Sequence, residues 1–330
     1  MKRLVQMSAQ PANDYYAWQT EVYLDNFLGL GYNGNNIEVI ASYIDFIPDS
    51  WINLQQKYPH VRFFFYLDEM GECNYPPAIQ AHILKKHFKR FPELSEAAIF
   101  FHDCDFIFTK YFDFSKFQHD DNWYFSDTVS YVGAEYIESK GKGLLEGMAK
   151  VVGLCACAVR ANQKNSGGAQ KLMKNLTHEY WAEVEEDAVN LYNWLLQEKN
   201  NYGDKDVNDI QIWTASMWSE LWNAWKYKHN VIVPKEFDFC WATCHIDKWD
   251  SVSFFHNAGV VDDKSKMFYK AGYIEKLPYN EQLDLDPNRC SIKYFDAIQK
   301  DGYATKGAYA ESLEDRLNDF RNRGVFDLTN

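Results

Sequence analysis

Proline is scarce in this chain, 9 in 330 residues, and glycine is modest at 17. That excludes a collagen-like, proline-rich or other low-complexity protein. Long hydrophobic runs are missing too, since no stretch approaches the ~18 apolar residues of a membrane-spanning helix. The opening MKRLVQMSAQPANDYY carries two positive charges but only a short apolar run, unlike a secretory leader. The expectation is a cytoplasmic protein without membrane attachment. Positive charge is in deficit, with 34 Lys and Arg against 47 Asp and Glu and a net charge of -13. A protein that grips nucleic acid by a uniformly basic surface is thereby excluded. Paired cysteine motifs are also lacking: Cys73, Cys104, Cys155, Cys157, Cys240, Cys244 and Cys290 form no CxxC sets, so reduced thiols are expected. Cys240 and Cys244 with His245 fall short of the four ligands of a structural zinc site.

What is present is ordinary except in one respect. Apolar residues make up 46% and charged residues 25%, the composition of a folded globular protein whose length suits one large α/β domain or two modest ones. Aromatics reach 17%, with 11 Trp, 22 Tyr and 23 Phe, and serve either as core or as stacking platforms for flat ligands and sugars. Charge is unevenly spread: seven basic and two acidic residues lie between Glu138 and Lys174, and ten acidic and two basic between Glu179 and Glu220. The plain reading is solvated helix surfaces, and a local basic face is the alternative.

Hydrophobic periodicity orders the elements. Leu4 to Ala9 reads as a strand, Tyr16 to Leu28 as a helix, Ile37 to Tyr43 (IEVIASY) as a strand, and Pro48 to Tyr58 as a helix. Val61 to Leu67 (VRFFFYL) is a third strand, apolar enough to be expected fully buried. The loop GECNYPP, a helix from Ala78 to Arg90 and a strand from Ala97 to Phe101 follow. Strands alternating with helices predict a mainly parallel α/β sheet with helices on both faces. Later, the polar loop Asn165 to Gln170 opens an expected helix from Gln170 to Leu176. DVNDIQIWTASMWSELWNAWKY reads as a helix with Trp213, Met217, Trp218, Leu221 and Trp225 on its core stripe. Val252 to Phe255 is a strand, and AESLEDRLNDFRNRG near the end is an expected surface helix. No internal repeat or clear linker is visible.

The fourth strand runs into His102-Asp103-Cys104-Asp105. Two carboxylates two residues apart at the end of a buried parallel strand stand where α/β sheets bind ligands. They suit a divalent cation, Mn or Mg, held together with phosphate oxygens. The alternative is a strand-end turn with solvated acids. His256-Asn257-Ala258-Gly259 follows the late strand, and a neutral imidazole there is a candidate third ligand. Gly167 and Gly168 mark either a tight turn or a place where backbone amides meet a hydroxylated ligand. Asp209, just before the Trp-rich helix, is a candidate N-cap and also a candidate proton acceptor.

The order of first strand, WQ, strand-terminal DxD and late HNAG resembles a glycosyltransferase of the GT-A fold, a nucleotide-sugar-binding, Rossmann-like α/β domain. More narrowly, YYAWQTEVYLDNFLGLG followed by a strand is similar to the opening of the plant hydroxyproline O-arabinosyltransferase and peptidyl-serine galactosyltransferase group. The chain also resembles glycosyltransferases of large tailed phages, including those that act on hydroxymethylated DNA bases. The resemblance implies that Asp103, Asp105 and His256 hold Mn or Mg against the diphosphate of a UDP-sugar. It implies donor contacts from Met7, Ser8, Ala9, Trp18, Asp103, Gly167, Gly168 and Gln170. It divides the chain into a GT-A domain over 1–275 and a helical extension over 276–330.

From this resemblance the expected activity is metal-dependent transfer of a pentose such as arabinose, or a hexose, to a hydroxyl. The first acceptor expected is a hydroxymethylated pyrimidine of phage DNA, in the host cytoplasm, with a protein or small-molecule hydroxyl as the alternative. Asp209 is the candidate catalytic carboxylate. A metal-dependent phosphoesterase or nuclease is a competing reading, although such sites usually cluster more carboxylates. A sugar-binding module would explain the aromatics but not the paired carboxylates.

Overall fold

The computed structural model describes residues 2–201 and 210–305. Asp209 and the charged segment 310–324 lie outside the described residues. The elements run β1 (Leu4–Pro11), α1 (Asp14–Gly29), β2 (Ile37–Tyr43), α2 (Asp49–Lys57), β3 (Arg62–Leu67), α3 (Ile79–Arg90), β4 (Ala98–Phe101), β5 (Phe106–Phe108) and β6 (Trp123–Asp127). There follow α4 (Val129–Val132), α5 (Ala134–Lys140), α6 (Leu144–Val152), α7 (Ala156–Ala161), β7 (Gly167–Lys174), α8 (His178–Asn201) and α9 (Ala215–Lys226). The last are β8 (Val231–Ile232), β9 (Phe239–Trp241), α10 (Asp247–Ser251), β10 (Phe254–His256) and α11 (Ser291–Thr305).

Seven strands form one twisted sheet in the order β3-β2-β1-β4-β7-β6-β8. Pairing is parallel except where β7 lies antiparallel between β4 and β6. This is a mixed α/β fold with a mostly parallel sheet flanked by helices. Side chains alternate across it: Val5, Met7, Ala9, Ile99 and Phe101 pack under α3, α6, α8 and α9. Val39, Ala41, Ala98 and Phe100 face α1, α2, α11 and a second sheet. That second sheet has the order β5-β10-β9. Each fully buried large apolar side chain in these layers contributes about 1.5–3 kcal/mol.

Local chemistry sets the element ends. Asn13 caps α1, its side chain accepting the Tyr16 N–H at 3.1 Å, and Asp14 adds a favourable charge in the first turn.

Several sequence expectations are corrected. β3 is the edge of the sheet, so Phe64 and Phe65 are half-buried and Leu67 is 44% exposed. The segment read as a helix from Gln170 to Leu176 is the fully buried strand β7. Its glycines admit close neighbours: a Cβ on Gly167 would come 2.6 Å from the Phe125 Cβ and 2.9 Å from the Ser126 carbonyl oxygen. The Trp-rich helix begins only at Ala215, which leaves Trp213 60% exposed before it, while Trp218 and Leu221 are core. The late strand is shifted to Phe254–His256. Cys155 and Cys157 form a disulfide, against the expectation of reduced thiols, and the remaining cysteines are free. No helix among the described residues is long and apolar enough to cross a membrane.

Candidate metal and donor site

Two sheets meet at the acidic motif. β4 ends the run of buried residues at Phe101, and the short turn through His102, Asp103, Cys104 and Asp105 carries the chain from the large sheet into β5 of the small one. β5 pairs antiparallel with β10 in a register that sets His256 opposite Phe106. The Asn257 N–H donates to the Asp105 carbonyl at 3.0 Å, extending that pairing past the strand end. Residues far apart in sequence are thereby brought together: His256 Nε2 lies 3.1 Å from Asp105 Oδ1 and 3.6 Å from Asp103 Oδ2.

Neighbouring groups orient all three. Gln80 of α3 donates from Nε2 to Asp103 Oδ1 at 3.0 Å. Gln170 of β7 stands 3.3 Å from His256 Nδ1 and accepts a bond from Ser126 Oγ at 2.8 Å. Because a hydroxyl can donate or accept, the Gln170 amide can turn over without losing Ser126 and so serve either tautomer of His256. Such outer partners hold ligating imidazoles in place. Trp241 stacks on the His256 ring, with centroids 5.3 Å apart and planes at 29°.

The charges compensate one another. Burial pushes Asp105 upward, but the charges and hydrogen bonds of Lys270 and His256 outweigh it and hold the carboxyl well below the usual range. Burial would lower His256, and Asp105 and Asp103 reverse this and raise it. Lys270, in the turn Lys270–Tyr273, donates from Nζ to Asp105 Oδ2, and this charge outweighs its burial and raises its pKa. His102 is different. Burial lowers it to about 4, and it packs among Tyr23, Phe27, Phe100 and Phe106 as a neutral core ring.

These residues fit a divalent cation. Asp103, Asp105 and His256 each offer one ligand atom, all within 4.8 Å of one another, and they are the sole such group among the described residues. Two carboxylates and one imidazole are a donor set suited to Mn2+ or Mg2+. Beside them the Asn257 amide, 2% exposed, has no partner for either its oxygen or its nitrogen, the state of a group that meets a polar ligand.

The first strand lies beside the acidic motif, with the His102 N–H donating to the Met7 carbonyl at 3.1 Å. Met7, Ser8 and Ala9 are fully buried within β1, which runs on to Pro11, and Ser8 Oγ is bonded to the Tyr23 hydroxyl at 2.8 Å. Trp18 is buried in α1 edge-on to Tyr15 and Phe268. Gly167 and Gly168 open β7, three and two residues before Gln170. Cys240 and Cys244 do not join His245 in a ligand group; Cys244 Sγ instead accepts the Trp241 N–H at 3.3 Å. Lys270 and Gln80, which complete the site, carry no sequence signal, because a lone Lys or Gln on a turn or helix has no spacing that marks it.

No protein-family model matches the chain, and no curated protein matches it either. Among solved structures it is similar to the apo form of WbbM, a bifunctional glycosyltransferase, at 11% identity over 91% of this chain and 50% of that one, with a TM-score of 0.43. It is similar to apo GlyE, a glycosyltransferase of Streptococcus pneumoniae TIGR4, at 11% identity over 94% of this chain and 63% of that one, with a TM-score of 0.43. It is similar to mouse xyloside xylosyltransferase 1 at 10% identity over 78% of this chain and 97% of that one, with a TM-score of 0.40. The chain spans about half the length of WbbM and less than two thirds of GlyE.

Proposed function

We propose that this chain is a GT-A glycosyltransferase that uses a divalent cation to move a pentose or hexose from a UDP-sugar to a hydroxyl. The observation that carries the reading is the convergence of Asp103, Asp105 and His256 on one point at the carboxyl edge of a mostly parallel sheet. In the transfer, the acceptor oxygen bonds to the anomeric carbon, the bond from that carbon to the diphosphate breaks, and the electron pair leaves with UDP. A bound Mn2+ or Mg2+ supplies Lewis-acid stabilisation to the departing oxygen. The chain's residues do the rest. Asp103, Asp105 and His256 would hold the ion, Gln80 and Gln170 orient two of these ligands, and Lys270 pairs with Asp105 and fixes that carboxylate.

In this reading Gly167, Gly168 and Gln170 stand on the donor-sugar side, and Met7, Ser8, Ala9 and Trp18 form the buried floor beneath the nucleotide. Asp209 remains the proposed acceptor of the hydroxyl proton. A hydroxymethylated pyrimidine in DNA would call for a basic face beside the acidic motif. Several residues of the basic stretches Lys85 to Arg90 and Glu138 to Lys174 are already committed: Lys85 to Glu185, Lys86 to Glu69, Arg160 to Glu138 and Glu146, Lys171 to Glu220, and Lys174 to Asp120. DNA is therefore one arm of the assay.

The test offers a panel of UDP-sugars with Mn2+ and measures UDP release, with hydroxymethylated DNA, peptides and small alcohols added in turn. Release is expected with Mn2+, and is expected to vanish with EDTA and in Asp103→Ala and Asp105→Ala. Equal UDP affinity with and without EDTA would overturn the metal-dependent reading.

A further inference from the structure

Next to the metal group the surface holds a polar depression of about 360 Å3, lined in part by Asp127, Ser130, Asp238, Trp241 and Lys248. That volume lies in the roughly 300–1,000 Å3 range of small-ligand sites. Two side chains join the depression to the metal ligands. Trp241 lines it and stacks on His256. Tyr131 lies with its ring centroid 6.1 Å from that of Trp241. Burial raises its pKa most, and then Asp103 and Asp127 add to the rise, so one phenol senses a carboxylate from each site.

We propose that this depression is the acceptor subsite and that it takes a neutral polyhydroxyl acceptor, a saccharide, in place of a nucleic acid. The inference rests on the glycosyltransferase reading above and gives its acceptor class. A sugar presents an apolar C–H face and a rim of hydroxyls, and the lining supplies a partner for each. The Trp241 indole offers an aromatic surface. Asp127 accepts the Val129 N–H at 3.0 Å through Oδ1, and Asp238 accepts the Phe239 N–H at 2.8 Å and Lys248 Nζ at 3.3 Å, also through Oδ1. Each carboxylate thus keeps Oδ2 for hydroxyl donors, and hydrogen bonds to a charged acceptor are the strong kind.

The charge selects against anions. Two carboxylates face one ammonium, Lys248, which is already paired with Asp238. A polyphosphate backbone needs unpaired cations here and meets carboxylates instead.

The test measures binding with no donor present, by calorimetry on the full chain, using neutral mono- and disaccharides, their sulfated counterparts and a hydroxymethylated DNA oligonucleotide. A neutral saccharide is expected to bind. Asp127→Asn and Asp238→Asn are each expected to weaken it about tenfold, the worth of a charge-assisted hydrogen bond, with circular dichroism confirming the fold. Failure of every neutral saccharide to bind, binding unchanged in both variants, or tighter binding of sulfated sugar or DNA would overturn the subsite. UDP release with Mn2+ reports separately on the transferase reading. Its absence beside Asp127-dependent saccharide binding would remove that reading and leave a saccharide site with no acceptor role. Its presence beside saccharide binding indifferent to both variants would remove the subsite alone.

Discussion

Lys171 and Glu220 form an ion pair in which each side chain is 5% exposed, joining β7 to α9 behind the acidic motif. Burial pushes the Glu220 carboxyl up, the Lys171 charge pulls it back, and Asp103 adds a smaller upward push. The Lys171 ammonium also stands 5.1 Å over the Phe101 ring. Removing one partner leaves the other charge buried alone, so Glu220→Gln or Lys171→Met is expected to cost about 3–5 kcal/mol, while the double change Lys171→Met with Glu220→Leu recovers most of it. Urea unfolding of the three variants checks this, and a single-variant cost below about 1 kcal/mol would mean that the pair is wetter than the structure shows. At this scale the sequence exposed Asp103, Asp105 and His256, because strand-end acids and a strand-end histidine stand out against apolar runs. It did not expose Lys171 with Glu220, or Lys270, since partners 49 and 165 residues apart leave no local pattern.

Among the elements, β7 shows why composition misleads. A run containing Gln170, Lys171 and Lys174 reads as a helix or loop, yet every residue from Gly167 to Lys174 is buried. The polar side chains are satisfied by Ser126, Glu220 and Asp120, partners on other elements. Gly167 is fixed by proximity: a Cβ there would sit against the Phe125 Cβ, the Val233 side chain and the Ser126 carbonyl. Gly167→Ala is expected to cost about 1–3 kcal/mol by overpacking, read as a lowered urea midpoint with unchanged m-value. A neutral result would show that β6 can move aside. Other strands were legible to within a residue or two where apolar runs were uninterrupted, as in β2 and β4. The edge position of β3 was not, because its apolar content is that of an inner strand.

At the scale of the molecule, a cation at Asp103, Asp105 and His256 would tie the large sheet to the small one. Mn2+ at about 100 times its Kd is expected to stabilise the chain by about 2.7 kcal/mol. Thermal unfolding should show this as a raised Tm that EDTA and Asp105→Asn both abolish; a rise that survives in Asp105→Asn would place the ion elsewhere. Acid should act in the opposite sense through His229, whose ring stacks on Trp123 at 4.0 Å and whose pKa is lowered by burial. The unfolded chain takes up this proton first as pH falls through about 6.5, so the folded state loses stability from there downward. His229→Gln should flatten that part of the stability curve, and an unchanged slope would show that the ring titrates freely in the fold.

The sequence by itself determined the alternation of strands and helices, and with it a mostly parallel sheet, since a buried strand must be apolar and a helix must present one apolar face. It also determined the paired carboxylates at a strand end, because their chemistry is local. The tertiary structure alone decided that β5 and β10 pair so as to bring His256 to Asp105. It alone set Lys270 on that carboxylate and stacked Trp241, which lines the depression, on His256. Those arrangements depend on long-range register, and register is fixed by how whole faces pack.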